Sequence, residues 1–197
     1  CDQVPVMVVA RKVIGLEHQC VAVDNREAAR EAVEHLISFG HRRIATITGL
    51  GDHPDAVYRL AGYHDALRDA GIEIDNGLVC GGDFSAQSGV LAINSLLMRG
   101  IHFSAVFCAN DATAIGAQLA LYRHGIRVPN DISLVGFDDQ GEAAFLTPPL
   151  TTVRQPAVEM GQAAATALIR LMQEEPASVP PMKACLIARE TVSRISR

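Results

Sequence analysis

The sequence has no apolar run long enough to cross a membrane and no concentration of positive charge. A membrane-spanning helix needs about 20 apolar residues in succession, and no such run occurs among the 197 residues. The first residues have neither the basic stretch nor the apolar stretch of a secretory signal. Net charge is −5, and the 17 lysines and arginines are scattered. We therefore expect no membrane segment, no uncleaved signal peptide and poor DNA binding by this piece alone.

Metal-ligand spacings and catalytic motifs are absent as well. The five cysteines are odd in number, far apart and without CxxC spacing, which favours reduced thiols and a cytoplasmic location. The seven histidines include no His-x-x-x-His pair, and no carboxylate-rich loop has the spacing of metal ligands. There is no GxSxG elbow and no GxxxxGKS/T loop, and residues 49–51 (GLG) lack the third glycine of a dinucleotide fingerprint. We expect no metal, no cofactor and no enzymatic activity.

What the sequence does contain is an alternation of short β-branched runs and amphipathic helical stretches. The predicted strands lie at 4–10, 43–48, 78–80, 104–109, 132–137 and 183–189, with short extended pieces at 20–23 and 151–155. The predicted helices lie between 24 and 40 and at 56–69, 86–99, 111–124 and 157–175. This order is typical of βαβ crossovers and predicts an α/β protein with a parallel sheet.

Polar residues at the ends of the predicted strands are the candidates for ligand contacts. Ligands of open α/β sheets bind beyond the carboxyl ends of the strands. Asn110 and Asp138 each follow a buried strand, and we favour a ligand role for both. Phe84 follows a shorter strand and is equally well explained by core packing, while Arg59 has a solvated surface position as its alternative. Carboxylate, amide, guanidinium and ring together suit a polyhydroxylated ligand, although a nucleobase would use the same groups.

Other charged residues near these positions have more ordinary explanations. Asp111 is as well explained by capping the following helix as by a ligand contact, and we favour a loop or capping role for Asp139. Asp52, His53 and Asp55 form a loop cluster of the kind that is usually a solvated turn.

Six strings of residues, in this order and spacing, resemble the effector-binding domain of the LacI/GalR family of transcriptional repressors. They are 40–44 (GHRRI), 59–63 (RLAGY), 83–86 (DFSA), 103–111 (FSAVFCAND), 128–139 (VPNDISLVGFDD) and 149–153 (PLTTV). The resemblance extends over about residues 4 to 194. Shorter pieces at 9–11 (VAR) and 151–154 (TTVR) are most similar to the galactose-repressor branch.

The resemblance implies a periplasmic-binding-protein-like fold. Such a fold has two Rossmann-like lobes with parallel sheets flanked by helices, joined by three crossovers of the chain. Residues 1–23 and 155–182 would form an incomplete N-terminal lobe. Residues 24–154 and 183–197 would form the C-terminal lobe.

The family also implies a site and a function. Its effectors lie between the lobes, and the matching positions in this sequence are Arg59, Phe84, Asn110 and Asp138, with Arg11 at the edge of the cleft. The implied function is that of a sensor in a bacterial repressor. A small sugar, with galactose as first choice and a nucleoside or purine as second, would shift the DNA-binding heads of a homodimer between two arrangements and so control operator binding.

The resemblance departs from the family at the front of the chain. Family members begin with a helix-turn-helix head, a hinge helix and the first half of the N-terminal lobe, so we expect this sequence to be a fragment. A periplasmic sugar-binding protein is the alternative: it shares the fold and would carry a secretory signal upstream. The unpaired cysteines and the string at 130–139 favour the regulator. An enzyme acting on sugars would need a catalytic acid or nucleophile that the sequence does not reveal.

Overall fold

The computed structural model describes residues 4–195, which form two compact units. One unit consists of the described residues up to Asp24 together with Gln155–Ala184, and the other of Asn25–Arg154 with the described residues from Cys185 onward. Cys1 lies outside the described residues, and the other four cysteines are free thiols. Within this described range, none of the helices combines the length and the apolar character needed to cross a membrane.

The elements alternate along the chain much as the sequence predicts. The strands are β1 (Val8–Val9), β2 (Cys20–Val21), β3 (Ile44–Ile47), β4 (Val79–Cys80), β5 (Ala105–Cys108), β6 (Ser133–Val135), β7 (Thr152–Arg154) and β8 (Cys185–Ile187). The helices are α1 (Asn25–Ser38), α2 (Pro54–Asp69), α3 (Ala86–Met98), α4 (Asp111–Arg123) and α5 (Ala157–Met172). Short 3-10 turns lie at Glu17–Gln19, Asn76–Leu78 and Gly141–Phe145.

A four-stranded parallel sheet forms the centre of the larger unit. Its strand order is β4-β3-β5-β6, and every neighbouring pair is parallel. All residues of β3, β5 and β6 are buried, as expected of a parallel sheet covered on both faces. Because all four strands run the same way, their carboxyl ends lie along one edge of the sheet.

Helices pack in pairs in this unit, α1 with α2 and α3 with α4. Glycines allow the close approach within each pair. A Cβ atom on Gly62 of α2 would lie 2.1 Å from the carbonyl oxygen of Arg26 in α1, and one on Gly89 of α3 would lie 2.1 Å from that of Thr113 in α4. Residues of α3 and α4, including Ile93, Leu96 and Leu121, share one buried cluster with the sheet.

The smaller unit contains β1, β2 and α5. Strands β1 and β2 pair in parallel, and Val23 bridges Met182 in the same direction. The predicted strand at 4–10 is reduced to Val8–Val9, because only these residues form a ladder. Helix α5 ends at Met172, three residues before the predicted end, and Glu174 adopts a left-handed φ of 59° that stops the helix.

Strands β7 and β8 complete the larger unit as an antiparallel pair. Strand β7 lies beside the end of β6 and the loop after it. Thr151 bridges Val135, and the backbone N–H of Asp138 donates to the carbonyl oxygen of Val153 at 2.7 Å. This pairing places the segment after β6 against β7.

Candidate functional site

Four residues predicted from strand ends come together at the carboxyl edge of the parallel sheet. A guanidinium nitrogen of Arg59 lies 3.4 Å from Asp138, and a second donates to the carbonyl oxygen of Ala109 at 2.5 Å. Asn110, the next residue, donates through Nδ2 to the carbonyl oxygen of Phe84 at 2.9 Å. Arg59 is therefore connected to Asp138 by direct contact, and to Asn110 and Phe84 through the backbone of Ala109.

Arg59 is a buried arginine whose orientation is fixed by several partners. It is only 3% exposed, and its guanidinium lies 3.7 Å above the centre of the Phe137 ring. Its Nε donates to Asn25 Oδ1 at 2.9 Å. Burial lowers the pKa of Arg59, and the charges of Asp138 and Asp55 oppose that effect. The solvated surface position considered from the sequence is wrong for this residue.

Asp138 combines backbone strain with partial exposure. Its φ is 108°, a conformation that non-glycine residues rarely adopt and that concentrates at functional sites. Its side chain is 24% exposed and faces Arg59 across 3.4 Å. Charge-assisted hydrogen bonds are usually about 2.7–2.9 Å long, so this pair is looser than a locked ion pair. A ligand hydroxyl can therefore engage both groups.

Asn110 has a structural role in addition to any ligand role. Its Oδ1 accepts from the backbone N–H of Thr113 at 2.9 Å, which makes Asn110 the N-cap of α4. The capping role considered for Asp111 is therefore wrong. A side-chain amide has two donor hydrogens and two acceptor lone pairs, and Asn110 uses one of each in these bonds.

Phe84 is a strained, partly buried aromatic residue beside Asn110. Its φ of 67° is left-handed. Its ring covers Gly49, where a Cβ atom would lie 2.0 Å from a ring carbon, and it meets the His53 ring edge-on at 5.4 Å. His53 also accepts from the backbone N–H of Asp55 as the N-cap of α2. Of the loop cluster interpreted as a solvated turn, Asp52 does lie in an exposed turn, whereas His53 and Asp55 form an ordered helix cap.

Asp111 is a fully buried carboxyl that holds the loop after β6. It accepts from the backbone N–H of Gln140 at 2.7 Å and from the Thr152 hydroxyl at 2.5 Å. Burial raises the pKa of Asp111 to about 6, with further contributions from the charges of Asp138 and Asp139, while its two hydrogen bonds work in the opposite direction. Asp111 therefore acts on the site through the loop that carries Asp138.

Asp139 is locked in place by two arginines. It accepts from Arg154 and from Arg189, each at 2.6 Å, and its side chain is 6% exposed. Burial by itself would raise the pKa of Asp139, but the bonds to Arg189 and Arg154 outweigh it and lower the pKa. The loop role predicted for Asp139 agrees with these contacts.

Arg11, the fifth predicted residue, belongs to the smaller unit. It is exposed and follows Ala10, whose φ is 61°. Asn25, which the sequence reasoning missed, is buried against Arg59 and Asp55. It lies within the predicted helix between 24 and 40, where no sequence pattern marked it as a candidate site residue. Among residues 4–195 there is no group of three or more His, Cys, Asp or Glu side chains arranged to hold a metal ion.

Comparison with known proteins identifies the family of the chain. Residues 33–192 match the periplasmic binding protein-like domain family. The chain is 42% identical over 175 residues to the HTH-type transcriptional regulator GalR of Escherichia coli K12, covering 88% of this chain and 51% of that protein. The chain therefore spans about half the length of this curated relative.

Solved structures of LacI-family regulators superpose closely on this fold. A sugar-binding transcriptional regulator of the LacI family from Escherichia coli, complexed with phosphate, matches with a TM-score of 0.91 and 36% identity over 96% of this chain and 68% of that one. A dimeric Lac repressor matches with a TM-score of 0.90 and 32% identity over 98% of this chain and 70% of that one. The α/β, periplasmic-binding-protein-like fold predicted from the sequence is confirmed.

Proposed function

This chain belongs to the LacI/GalR family of transcriptional regulators, and from that premise we propose that it is the effector-sensing part of a bacterial DNA-binding repressor. The effector is a small sugar, with D-galactose as the first candidate. The observation that carries the proposal is the buried Arg59 facing the partly exposed, strained Asp138 at the edge of the sheet. The periplasmic alternative is not favoured by the regulators that the chain resembles.

The chemistry of the four side chains fits a sugar. A sugar hydroxyl can donate to Asp138 while accepting from Arg59, which suits groups 3.4 Å apart. Asn110 retains one donor hydrogen and one lone pair for a neighbouring hydroxyl. The Phe84 ring offers an apolar surface to the C–H face of the sugar ring.

Control of DNA binding follows from differential affinity. An effector shifts a regulator between two arrangements only to the extent that it binds one of them more tightly. Binding at the Arg59–Asp138 edge favours the arrangement in which that edge is complementary to the sugar. The operator is bound by a helix-turn-helix in the whole regulator, and the protein acts in the cytoplasm without catalysing a reaction.

The test is a sugar titration of the intact regulator. Operator binding is followed while D-galactose, cellobiose, D-ribose and adenosine are added separately, and the thermal unfolding of the protein is measured with each compound. A true effector changes operator affinity and raises the unfolding temperature, because any ligand of the native state stabilises it. Absence of a response to every sugar and to adenosine would refute the effector assignment.

We extend the proposal to a homodimer formed through the outer face of α4. Leu119 and Tyr122 lie one turn apart on α4 and are exposed, as is Phe145. Gln118 of α4 donates to the carbonyl oxygen of Thr147 at 2.8 Å, which brings the segment after Phe145 against the same helix. Exposed apolar groups concentrated on one face are typical of protein interfaces, and a similar Lac repressor structure is described as dimeric.

Charge placed on this face should weaken self-association. Tyr122→Asp would put a carboxylate into the apolar contact, so we expect a shift from dimer to monomer in sedimentation velocity. Met172→Asp is the matched control, because Met172 is an exposed apolar residue on α5. A dimer of unchanged stability in the Tyr122→Asp variant would place the interface elsewhere.

A further inference from the structure

Asn25, the first residue of α1, is a buried amide with both ends of its side chain in use. It is 7% exposed. Its Oδ1 accepts from Arg59 Nε at 2.9 Å, and its Nδ2 donates to Asp55 Oδ1 at 3.2 Å. The amide therefore lies between a buried cation and a carboxylate, and it bonds to each of them in the correct sense.

The contact from Asn25 differs in kind from the others that hold Arg59. The Ala109 carbonyl and the Phe137 ring belong to the buried segments that follow β5 and β6, so they are fixed by the core of the sheet. Asp138 lies 3.4 Å from a guanidinium nitrogen of Arg59 and is partly exposed. Asn25 supplies the neutral side-chain partner from α1, and it fixes the rotation of the guanidinium plane through Nε.

The neutrality of this partner has an electrostatic consequence. An aspartate at position 25 would form a full ion pair with Arg59 and would also face the carboxylate of Asp55. The amide instead donates to Asp55 and accepts from Arg59, so it satisfies both groups without setting two carboxylates against each other.

We propose that Asn25 is a positioning residue for the effector site, which orients the guanidinium of Arg59 relative to Asp138. The expected effect on sugar affinity rests on the proposed sugar-sensing function, but the orientation of Arg59 is measurable without any ligand. Asn25 acts through Arg59 and does not itself contact the sugar.

The binding experiment exchanges the amide of Asn25 and the carboxylate of Asp55. Four variants of the intact regulator are compared: Asn25→Ala, Asn25→Asp, Asp55→Asn and the double variant Asn25→Asp/Asp55→Asn. In the double variant, the carboxylate at position 25 can still accept from Arg59 Nε. The amide at position 55 can donate to that carboxylate, so the bond between an amide and a carboxylate is kept with the two groups exchanged. Asn94→Ala is the matched control, because Asn94 accepts from His124 at 2.9 Å on the surface of α3.

We expect the single changes at position 25 to weaken D-galactose binding about tenfold, the size of effect typical for losing one hydrogen bond to a charged group. The double variant should bind within about twofold of the unaltered protein, and Asn94→Ala should not change affinity. A role limited to stability would change the free energy of unfolding and leave the affinity of the folded protein for D-galactose unchanged. Affinity in the double variant no better than in Asn25→Asp would overturn the proposal.

The ligand-free experiment separates this proposal from the proposed function. In protein labelled with 15N-arginine, the Arg59 Nε–H signal is identified by its loss in Arg59→Lys. We expect Asn25→Ala to shift this signal and speed its exchange with water, and the double variant to restore it. An Nε–H signal unchanged in Asn25→Ala would refute the positioning role. Failure of every sugar to bind the unaltered protein would instead count against the proposed function alone.

Discussion

The carboxyl edge of the sheet and the outer surface of the α1–α2 pair both join arginines to carboxylates, but they do so in different surroundings. At the edge, Arg59 is 3% exposed and faces Asp138 across 3.4 Å. On the surface, Arg30 contacts Glu27 at 2.6 Å and Glu34 at 2.8 Å, and these side chains are 32–46% exposed. We expect the shorter contacts to contribute less free energy, because water screens exposed charges and already solvates them. Burial, more than distance, decides how much free energy an ion pair contributes.

Two adjacent carboxylates at the edge extend this contrast. Asp139 is bonded to two arginines at 2.6 Å each, whereas Asp138 faces Arg59 at 3.4 Å and is more exposed. Both have positive φ angles, 55° and 108°. We infer a division of work in which Asp139 anchors the loop to β7 and to the segment after β8, and Asp138 meets the ligand.

The largest expected effect is on effector affinity when the Arg59–Asp138 pair is broken. Asp138→Asn removes the charge that faces Arg59 and the charged acceptor proposed for a sugar hydroxyl, and loss of a hydrogen bond to a charged group weakens binding by about tenfold to a hundredfold. Titration calorimetry with the sugar that responds in the operator assay measures the change. Asp131→Asn, which breaks an exposed pair with Arg127 at 2.8 Å, is the control. Equal losses of affinity in the two variants would show that the Arg59–Asp138 pair has no special role in binding.

The next effect concerns stability and pH at the buried Asp111. Its pKa rises from an ordinary 3.8 to about 6 in the fold, so between these values the folded protein holds a proton that the unfolded chain has released. The contribution of Asp111 to stability is therefore greatest below about pH 4 and falls as pH rises toward 6, by about 2 to 3 kcal/mol in total.

Comparison with Asp111→Asn isolates this contribution. Burial lowers the pKa values of His35, His41 and His64, which makes stability rise with pH in an overlapping range. The histidines are the same in both proteins, so the difference in free energy of unfolding between them reports Asp111. Denaturant unfolding from pH 4 to 7 should show that difference changing with pH. A constant difference would contradict the raised pKa.

Much of this site follows from a simple rule about parallel sheets, and the rest depends on packing. Because the carboxyl ends of parallel strands share an edge, Asn110 and Asp138 were predictable from their positions after buried strands. Arg59 was predictable only as a residue near that edge, since its burial depends on the Phe137 ring beneath it. Asn25 follows β2 and not a strand of the four-stranded sheet, so the strand-end rule does not select it, and only the packing of α1 against α2 brings it to Arg59.

Capping was the least predictable feature of the site. Asn110 and Asp111 are adjacent and both are favourable N-cap residues, so the sequence did not distinguish them. The structure assigns the cap to Asn110 because Asp111 turns inward to Thr152 and Gln140. Both partners of Asp111 come from segments far along the chain, and local propensity carries no information about them. The strained φ angles of Phe84 and Asp138 are likewise imposed by tertiary contacts.

The smallest effect is expected on the exposed α1–α2 surface. Arg30→Ala removes ion pairs to Glu27, Glu34 and Asp69 in a single change, and those carboxylates raise the pKa of Arg30. We nevertheless expect little change in the free energy of unfolding, and none at 1 M salt, because the Debye length there is only about 3 Å. Urea unfolding at low and high salt is the measurement, and Asp138→Asn at the same salt concentrations is its buried counterpart. If Arg30→Ala proved as costly as the buried change and insensitive to salt, the α1–α2 network would be a structural anchor, and burial would not be what separates the two regions.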